Sequence, residues 1–277
     1  MTQPILQLYP QPTQEHPLNG LYLNHNLRQF GRNANRPYIF SNYVVSLDGR
    51  IAIPHPTRPG LIVPKAIAND RDWRLFQELA AQSDIILSNG RYLRDVGDGR
   101  AQDLLQIDDP KFADLRQWRE KQGLPPYPDI AIISRTLDFP IPEMLTKGGR
   151  KVIIFTNANP DPERVAQLET QAGQVIIAGE EGVEGHQMAA HLTRMGCQIA
   201  FAASGPQVLH MLLAANILNR LYLTQTSRIL GGDLFAPIVE GPLFDPPYDM
   251  ILQALYHDPH APANLGQLFA VYDRAGF

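Results

Sequence analysis

The sequence predicts an α/β fold in which a largely parallel central sheet is flanked by helices and followed by a C-terminal antiparallel hairpin. Three observations support this class. Short apolar segments typical of buried strands alternate with segments of helical length between residues 129 and 226. A turn of small residues at 203–206 separates one such strand from an apolar helix. Two apolar segments near the C-terminus, 250–256 and 267–272, flank a single loop and indicate a hairpin at the sheet edge.

The front of the chain is predicted to hold an extension and the first elements of the domain. Residues 1–35 are rich in Pro, Gln, Asn and His and show no sustained apolar period. We expect them to form an N-terminal extension that packs on the domain, residues 36–277, or on a partner subunit, with disorder as the alternative. The elements predicted next are a strand at 38–46, a helix at 69–82 capped by Asn69, a strand at 84–88, a turn at 89–92, a loop at 94–106 and a helix at 109–121.

The second half of the chain is predicted to alternate regularly between strands and helices. The predicted strands are 129–134, 151–156, 174–178, 199–202 and 220–226. The predicted helices are 161–172, 185–195 and 207–216. Asp161 suits the cap of the first of these helices and Pro162 its first turn. Strands connected by helices of this length imply parallel pairing with both faces of the sheet covered.

Composition and charge restrict the function classes. The chain has 277 residues and a net charge of −4, which argues against a nucleic-acid-binding protein. We find neither an apolar stretch of membrane-spanning length nor a signal-peptide pattern, so a cytoplasmic protein is expected. The single cysteine, Cys197, excludes an internal disulfide and disfavours a cysteine-based zinc site. No metal site is predicted.

The turn Ser204-Gly205-Pro206 is the first candidate for a ligand site. A strand that leads through a glycine turn into a helix N-terminus suits phosphate binding, because small side chains let the ligand approach and the first helical N–H groups are unpaired. The alternative is purely structural, since any strand-to-helix connection of this type needs a small turn.

Motifs in order along the chain carry a resemblance to a known family. Arg36-Pro37 opens the first strand, and that strand ends in Ser46-Leu47-Asp48-Gly49-Arg50-Ile51-Ala52. Far downstream come a Gly-Pro-x-x-Leu-x-x-x-Leu pattern and a Leu-Gly-Gly, formed by Gly205, Pro206, Leu209, Leu213, Leu230, Gly231 and Gly232. Together they resemble the RibD C-terminal family, the pyrimidine reductases of riboflavin biosynthesis, whose fold is dihydrofolate reductase-like. The resemblance extends over residues 36–277.

The resemblance implies that NADPH lies along the carboxyl edge of the sheet. The residues that it places at the cofactor are Ser134, Ser204, Gly205, Pro206, Gln207, Val208, Leu209 and Tyr92, and we add Arg135 because it directly follows Ser134. Tyr92 stands where the family usually has a threonine, and Ser134 has the alternative role of a turn or cap residue. Arg135 is the cation expected at the 2′-phosphate that distinguishes NADPH from NADH. A later Asp108-Asp109-Pro110 is either a displaced family motif or a helix cap.

The resemblance also implies a substrate site with one catalytic candidate. Asp48 is expected to orient a substrate amine or a water, and the alternative is a carboxylate that bonds its own turn. The expected substrate-binding residues are Asn42, Ser46, Arg91 and Arg94. The two arginines suit phosphate binding, with a solvated loop as the alternative. Two family positions differ here, because Ala80 replaces an arginine and Ala203 a glutamate.

The predicted function is therefore an NADPH-dependent reductase. The resemblance implies hydride transfer to the ribosyl group of an aminopyrimidine ribosyl phosphate or a related small molecule. The alternative is a non-catalytic relative that binds a nucleotide or a partner. A homodimer is expected from the resemblance, with the apolar hairpin and the proline-rich N-terminal segment as candidate contacts.

Overall fold

The computed structural model describes residues 3–32, 35–171 and 173–276. The strands are β1 (Ile5–Tyr9), β2 (Gln14–His16), β3 (Tyr38–Val45), β4 (Ile53–Pro54), β5 (Leu61–Ile62), β6 (Ile85–Asn89), β7 (Asp129–Ile133), β8 (Val152–Thr156), β9 (Gly173–Ile177), β10 (Ile199–Ala202), β11 (Leu218–Thr226), β12 (Met250–Asp258) and β13 (Gln267–Arg274). The α-helices are α1 (Arg28–Gly31), α2 (Asp70–Gln82), α3 (Gly90–Gly97), α4 (Ala113–Lys121), α5 (Pro162–Thr170), α6 (Gly185–Arg194) and α7 (Pro206–Ala214). Short 3-10 segments occur at Leu23–His25, Pro110–Phe112, Glu143–Leu145, Lys147–Gly149 and Pro262–Asn264.

The chain divides into two compact units. The first contains the chain up to His25, Phe40–Phe76 and the chain from Leu218 onward. The second contains Asn26–Ile39 and Gln77–Ile217. None of the helices in the described ranges is long and apolar enough to cross a membrane.

The second unit is built on a parallel sheet. Its strands lie in the order β10-β6-β7-β8-β9, and every neighbouring pair is parallel. The central strands are rich in Ile and Val, and β8 is buried along its whole length. Such strands are typical of a sheet covered on both faces. The predicted alternation of strands and helices is therefore confirmed here.

The carboxylate of Asp84 sets the start of this sheet. It accepts hydrogen bonds from the backbone N–H groups of Gln198 and Ile199, each at 2.8 Å, and it pairs with the guanidinium of Arg28. The backbone of Asp84 also bonds Ile199 on one side and Asp129 on the other, each at 2.9 Å. These contacts fix β10 against β6 at Ala200↔Ile85, and the register continues to Ala202↔Leu87.

The first unit contains the C-terminal hairpin in a mostly antiparallel sheet. Its strands lie in the order β2-β1-β12-β13-β11-β3, with β12 and β13 forming the predicted hairpin. The expected position of this hairpin at the sheet edge is wrong, because β1 pairs antiparallel with β12 and β2 pairs with β1. The N-terminal segment thus supplies strands to this unit, and Ile5 is fully buried. A five-residue strand is too short to give a clear apolar period in the sequence.

His25 attaches the N-terminal segment to two strands of the same unit. Its Nδ1 lies 3.0 Å from the Tyr222 hydroxyl and its Nε2 lies 3.1 Å from the Tyr256 hydroxyl. Both tyrosine rings stack on the imidazole, with interplanar angles of 17° and 24°. Burial, and then the charges of Arg220 and His16, lower the pKa of His25 to about 3. The imidazole is therefore neutral, donating through one ring nitrogen and accepting through the other.

We predict that His25 makes stability depend on pH. An unfolded histidine binds a proton below about pH 6.5, whereas folded His25 stays neutral to about pH 3, so stability falls as the pH drops through this window. Between pH 7 and pH 5 the loss from this residue is roughly 2 kcal/mol. His25→Gln lacks this proton uptake, so the difference in unfolding free energy between wild type and variant shrinks from pH 7 to pH 5. Urea unfolding at both pH values measures it, and an unchanged difference contradicts the prediction.

Candidate active site

Three connections that follow strands of the second unit start at the carboxyl edge of its sheet. The strand register places Leu87 beside both Ala202 and Ala131, and Asn89 beside Ile133. The residues that follow β10, β6 and β7 are therefore neighbours. The side-chain amide of Asn89 donates to the hydroxyl of Ser204 at 3.3 Å, which joins two of the three connections directly.

The connection after β10 has the geometry of an open turn. Gly205 precedes α7 in an extended conformation and, as a glycine, has no side chain of its own to cap the helix. A Cβ atom added to Gly205 would meet no heavy atom within 4 Å. Space for a ligand therefore remains beside the backbone, next to a helix N-terminus that favours an anion.

The residues of α7 predicted at the cofactor differ in their access to this space. Pro206 occupies the first turn of the helix, Gln207 is exposed, and Val208 is half-buried. Leu209 is only 1% exposed, and its backbone N–H donates to the Gly205 carbonyl at 3.3 Å. The Leu209 side chain therefore serves the core. The role of Leu209 at the cofactor stays a prediction.

The connection after β6 is helix α3, so the predictions of a turn at 89–92 and of a loop that begins at Arg94 are wrong. Asn89 caps α3 by accepting from the backbone N–H of Tyr92 at 3.1 Å. Leu93 and Val96 lie buried on the inner side of the helix. The density of charged residues in this segment obscured its apolar spacing. The Tyr92 hydroxyl donates to the Gln102 carbonyl at 3.3 Å, and burial raises the pKa of this phenol.

Gly90 is required where α3 begins. A Cβ atom at this position would lie 2.6 Å from the ring of Phe139 and 3.4 Å from the hydroxyl of Ser134. The first residue of α3 thus packs directly against the segment that follows β7. Only glycine permits this approach without movement of Phe139.

Ser134 and Arg135 form the connection after β7. The Ser134 hydroxyl accepts from the backbone N–H of Leu137 at 3.2 Å, which is the turn role given above as its alternative. Arg135 is exposed, and its guanidinium makes no ion pair or hydrogen bond with any described residue. It is therefore a cation available at the same edge as the Gly205 turn.

The arginines of α3 and the following loop have partners in the protein. Arg91 lies 3.6 Å from Asp95 along the helix, and Arg94 donates to the Asp138 carbonyl at 2.8 Å. Arg100 pairs with Asp95 and Asp98. These contacts favour the alternative of a solvated surface, and the substrate-binding role of Arg91 and Arg94 stays a prediction.

The Asp-Gly turn after β3 belongs to the first unit and is held by a saturated carboxylate. Asp48 accepts from the Ser46 hydroxyl at 2.5 Å, from Arg50 at 2.6 Å, and from the backbone N–H groups of Leu230 and Gly231 at 3.2 and 2.8 Å. These bonds, led by the one from Ser46, hold the pKa of Asp48 well below its usual range. A carboxylate offers about four acceptor positions, so little capacity remains for a substrate. The contacts favour the turn-bonding alternative.

The remaining predicted positions are quickly placed. Asn42 is half-buried on β3, and its side chain bonds no described residue. Asp109 caps the segment after it by accepting from the backbone N–H of Lys111 at 3.0 Å, so Asp108-Asp109-Pro110 is a helix cap. Ala80 is fully buried in α2, and Ala203 is half-buried. In the described ranges, no group of three or more His, Cys, Asp or Glu side chains is arranged to hold a metal.

Comparison with protein families identifies the family of this chain. The sequence matches the family model for the RibD C-terminal domain over residues 37–256. The chain belongs to the RibD C-terminal domain family. The resemblance inferred from the motifs is thus confirmed, and the strands β1 and β2 lie outside the matched region.

Individual relatives agree with the family. The chain is 26% identical over 213 residues to the 2,5-diamino-6-ribosylamino-4(3H)-pyrimidinone 5′-phosphate reductase of Archaeoglobus fulgidus, covering 76% of this chain and 89% of that protein. It is 25% identical over 216 residues to the protein of the same name from Methanothermobacter thermautotrophicus, covering 78% and 89%.

Solved structures show the same fold. A pyrimidine reductase-like protein from Corynebacterium diphtheriae superimposes with a TM-score of 0.66 at 19% identity, covering 86% of this chain and 92% of that one. A riboflavin biosynthesis reductase from Saccharomyces cerevisiae gives a TM-score of 0.56 at 15% identity, covering 92% and 99%. The α/β fold class predicted from the RibD C-terminal motifs is confirmed.

We predict that alanine destabilises the protein at one of the two glycines of the sheet edge, Gly90, and has little effect at the other, Gly205. Gly90→Ala forces a Cβ into the Phe139 ring and is expected to lower the unfolding free energy by about 1–3 kcal/mol. Gly205→Ala enters open space and is expected to change it by less than about 0.5 kcal/mol. Denaturant unfolding of both variants gives the comparison. Equal effects would show that Phe139 moves aside freely.

Proposed function

We propose that this protein is an NADPH-dependent reductase of the riboflavin-pathway type. The observation that carries the proposal is the open Gly205 turn, which lies beside the end of β6 at the carboxyl edge of the parallel sheet. In open α/β sheets this edge is the usual place for a nucleotide.

The residues at this edge fit the phosphates of a dinucleotide. The Gly205 turn leaves room for a ligand to approach the backbone at the N-terminus of α7. The Ser204 hydroxyl can donate to a phosphate oxygen. Arg135 supplies a positive charge that no described residue neutralises. We assign the pyrophosphate to the Gly205 turn and the 2′-phosphate to Arg135.

The protein contributes positioning more than acid–base chemistry. A bound nicotinamide supplies the hydride, and the protein must orient the acceptor carbon and exclude water. Asp48 is a poor proton donor, because its hydrogen bonds keep the carboxyl ionised. Its proposed contribution is to hold Leu230 and Gly231 in place through their N–H groups, together with Ser46 and Arg50. The proton that completes the reduction then comes from water.

The proposed substrate is an aminopyrimidine ribosyl phosphate or a related small molecule. Support comes from the names of the two archaeal relatives, both reductases of a ribosylaminopyrimidinone 5′-phosphate. The buried Ala80 and the half-buried Ala203 favour one alternative, a relative that binds the nucleotide without catalysing this reaction. Asn42, Ser46, Arg91 and Arg94 remain the proposed substrate-binding residues.

The domain organisation, location and assembly state complete the proposal. We propose a reductase domain at 36–277 preceded by an extension at 1–35, and a cytoplasmic homodimer. The N-terminal segment and the hairpin were the candidate dimer contacts, but β1 bonds β12 of its own chain. That pairing leaves the other surfaces of the hairpin for a second subunit.

We predict that Gly205→Val weakens NADPH binding about tenfold or more, because branched carbons fill the space beside the turn. Titration of the protein with NADPH, followed by nicotinamide fluorescence, measures the affinity. Gly182→Val is the matched control, since Gly182 also faces open space but lies in the loop before α6. Loss of nicotinamide absorbance with the aminopyrimidine ribosyl 5′-phosphate then tests catalysis. NADPH binding without turnover supports the non-catalytic alternative, and absence of NADPH binding contradicts both.

We predict that Arg135→Ala separates the two nicotinamide cofactors. A charge-assisted hydrogen bond contributes about 1.5–3 kcal/mol, so the Kd for NADPH should rise roughly tenfold or more. The Kd for NADH should change little, because NADH has no 2′-phosphate. Lys121→Ala, at an exposed position on α4, is the control. Equal weakening of both cofactors would remove Arg135 from the 2′-phosphate site.

A further inference from the structure

The first unit contains a small cavity that none of the residues assigned above uses. Three loop segments line it, residues 65–69 before α2, residues 226–228 after β11, and residues 261–267 before β13. Its volume is about 50 Å³. One water needs about 10–15 Å³ on this measure, so the cavity holds several waters or one anion the size of phosphate.

The floor of the cavity is a rigid and electrically neutral network. Asn69 donates to the side-chain carbonyl of Gln267 at 2.8 Å, and Gln267 donates to Asp258 at 2.9 Å. Asp258 is fully buried, and Arg71 neutralises it at 2.7 Å. The Asn69 oxygen accepts from two backbone N–H groups at the start of α2. The polar atoms of the floor are thus engaged and do not repel an anion.

Two cations in the lining have no counter-charge. Neither Lys65 nor Arg228 makes an ion pair or a side-chain hydrogen bond with a described residue. No carboxylate lines the cavity. Asp72, the buried aspartate of α2, accepts a hydrogen bond from the Thr224 hydroxyl at 2.5 Å and lies outside the lining. The lining residues therefore include two basic side chains, an exposed lysine and a half-buried arginine, without a described counter-charge.

The wall that carries Arg228 is attached to the Asp48 turn. The Arg228 carbonyl accepts from the backbone N–H of Leu47 at 2.6 Å, and Asp48 holds Leu230 and Gly231 immediately downstream. The backbone of this wall is consequently held at Arg228 and immediately downstream of it. A fixed backbone lowers the entropy lost when the arginine orders around a ligand.

We infer that this cavity binds a phosphoryl dianion between Lys65 and Arg228. Arginine suits two phosphate oxygens through its planar fork, and lysine adds a compact point charge. The anion is either inorganic phosphate or the phosphate ester of a small molecule. The site lies entirely within the first unit and does not depend on the proposed reductase function.

Isothermal titration with inorganic phosphate and with ribose 5-phosphate tests the site. We expect binding by the wild type, with a Kd that rises about tenfold or more in Arg228→Gln and also rises in Lys65→Gln. Arg58→Gln is the matched control, because Arg58 is exposed in the same unit and outside the cavity, and its Kd should equal that of the wild type. Tighter binding of the sugar phosphate identifies an ester as the ligand, and equal or tighter binding of phosphate identifies the free anion.

Three results would overturn the inference. The first is that the wild type binds neither probe at about 10 mM, a Kd too weak for a specific site. The second is that both lining variants, Arg228→Gln and Lys65→Gln, bind as tightly as the wild type. The third is that Arg58→Gln loses as much affinity as the lining variants. Arg228→Lys retains the charge and should lose less affinity than Arg228→Gln, which separates an electrostatic role from a folding defect. NADPH titration of the same wild-type sample reports on the proposed function separately.

Discussion

The carboxylate of Asp84 is the contact on which the geometry of the second unit depends. It holds the start of β10 through two backbone N–H groups, and it holds α1 through the guanidinium of Arg28. Asp84 itself directly precedes β6, so the bonds to β10 lie at the amino ends of this strand pair. Because parallel strands keep one register along their length, a bond at their amino ends determines which residues meet at their carboxyl ends. Ser204 lies beside Asn89 for this reason. A slip of one residue would turn the Gly205 connection away from its neighbours.

The two units place polar groups for different purposes. At the edge of the parallel sheet, the protein leaves open space beside Gly205 and an exposed Arg135 without a described partner. In the Asp48 turn, by contrast, donors from two segments of the first unit, 46–50 and 230–231, saturate one carboxylate. Open space beside a free cation indicates where an anionic ligand can bind, and a saturated acceptor indicates where backbone is being held. Sequence motifs alone do not separate these roles, since both segments consist of small and charged residues beside glycine.

Much of the fold follows from local sequence signals, and less of the site does. The strands of the second unit were predictable because runs such as Ile130–Ile133 and Val152–Phe155 are apolar and bounded by turn residues. Helix α3 was missed because its buried residues are few among charged ones, and the cap at Asn89 resembles a turn. The pairing of β1 with β12 joins the two ends of the chain, which no local pattern reveals. Two of the partners of Asp48, Leu230 and Gly231, are likewise about 180 residues away in sequence, a separation that only tertiary structure closes.

The arrangement of strands in the first unit has a consequence for the order of folding. Its sheet needs β1 together with β12 and β13, so it cannot be completed until residues 250–274 have been synthesised. The second unit draws its five parallel strands from residues 85–202 and is available much earlier. A nascent chain therefore carries strand β1, with its apolar residues, without its partner β12 until residues 250–258 have been made. Protection of this segment by a chaperone, or late release from the ribosome, would matter more for this protein than for one whose terminal strands pair locally.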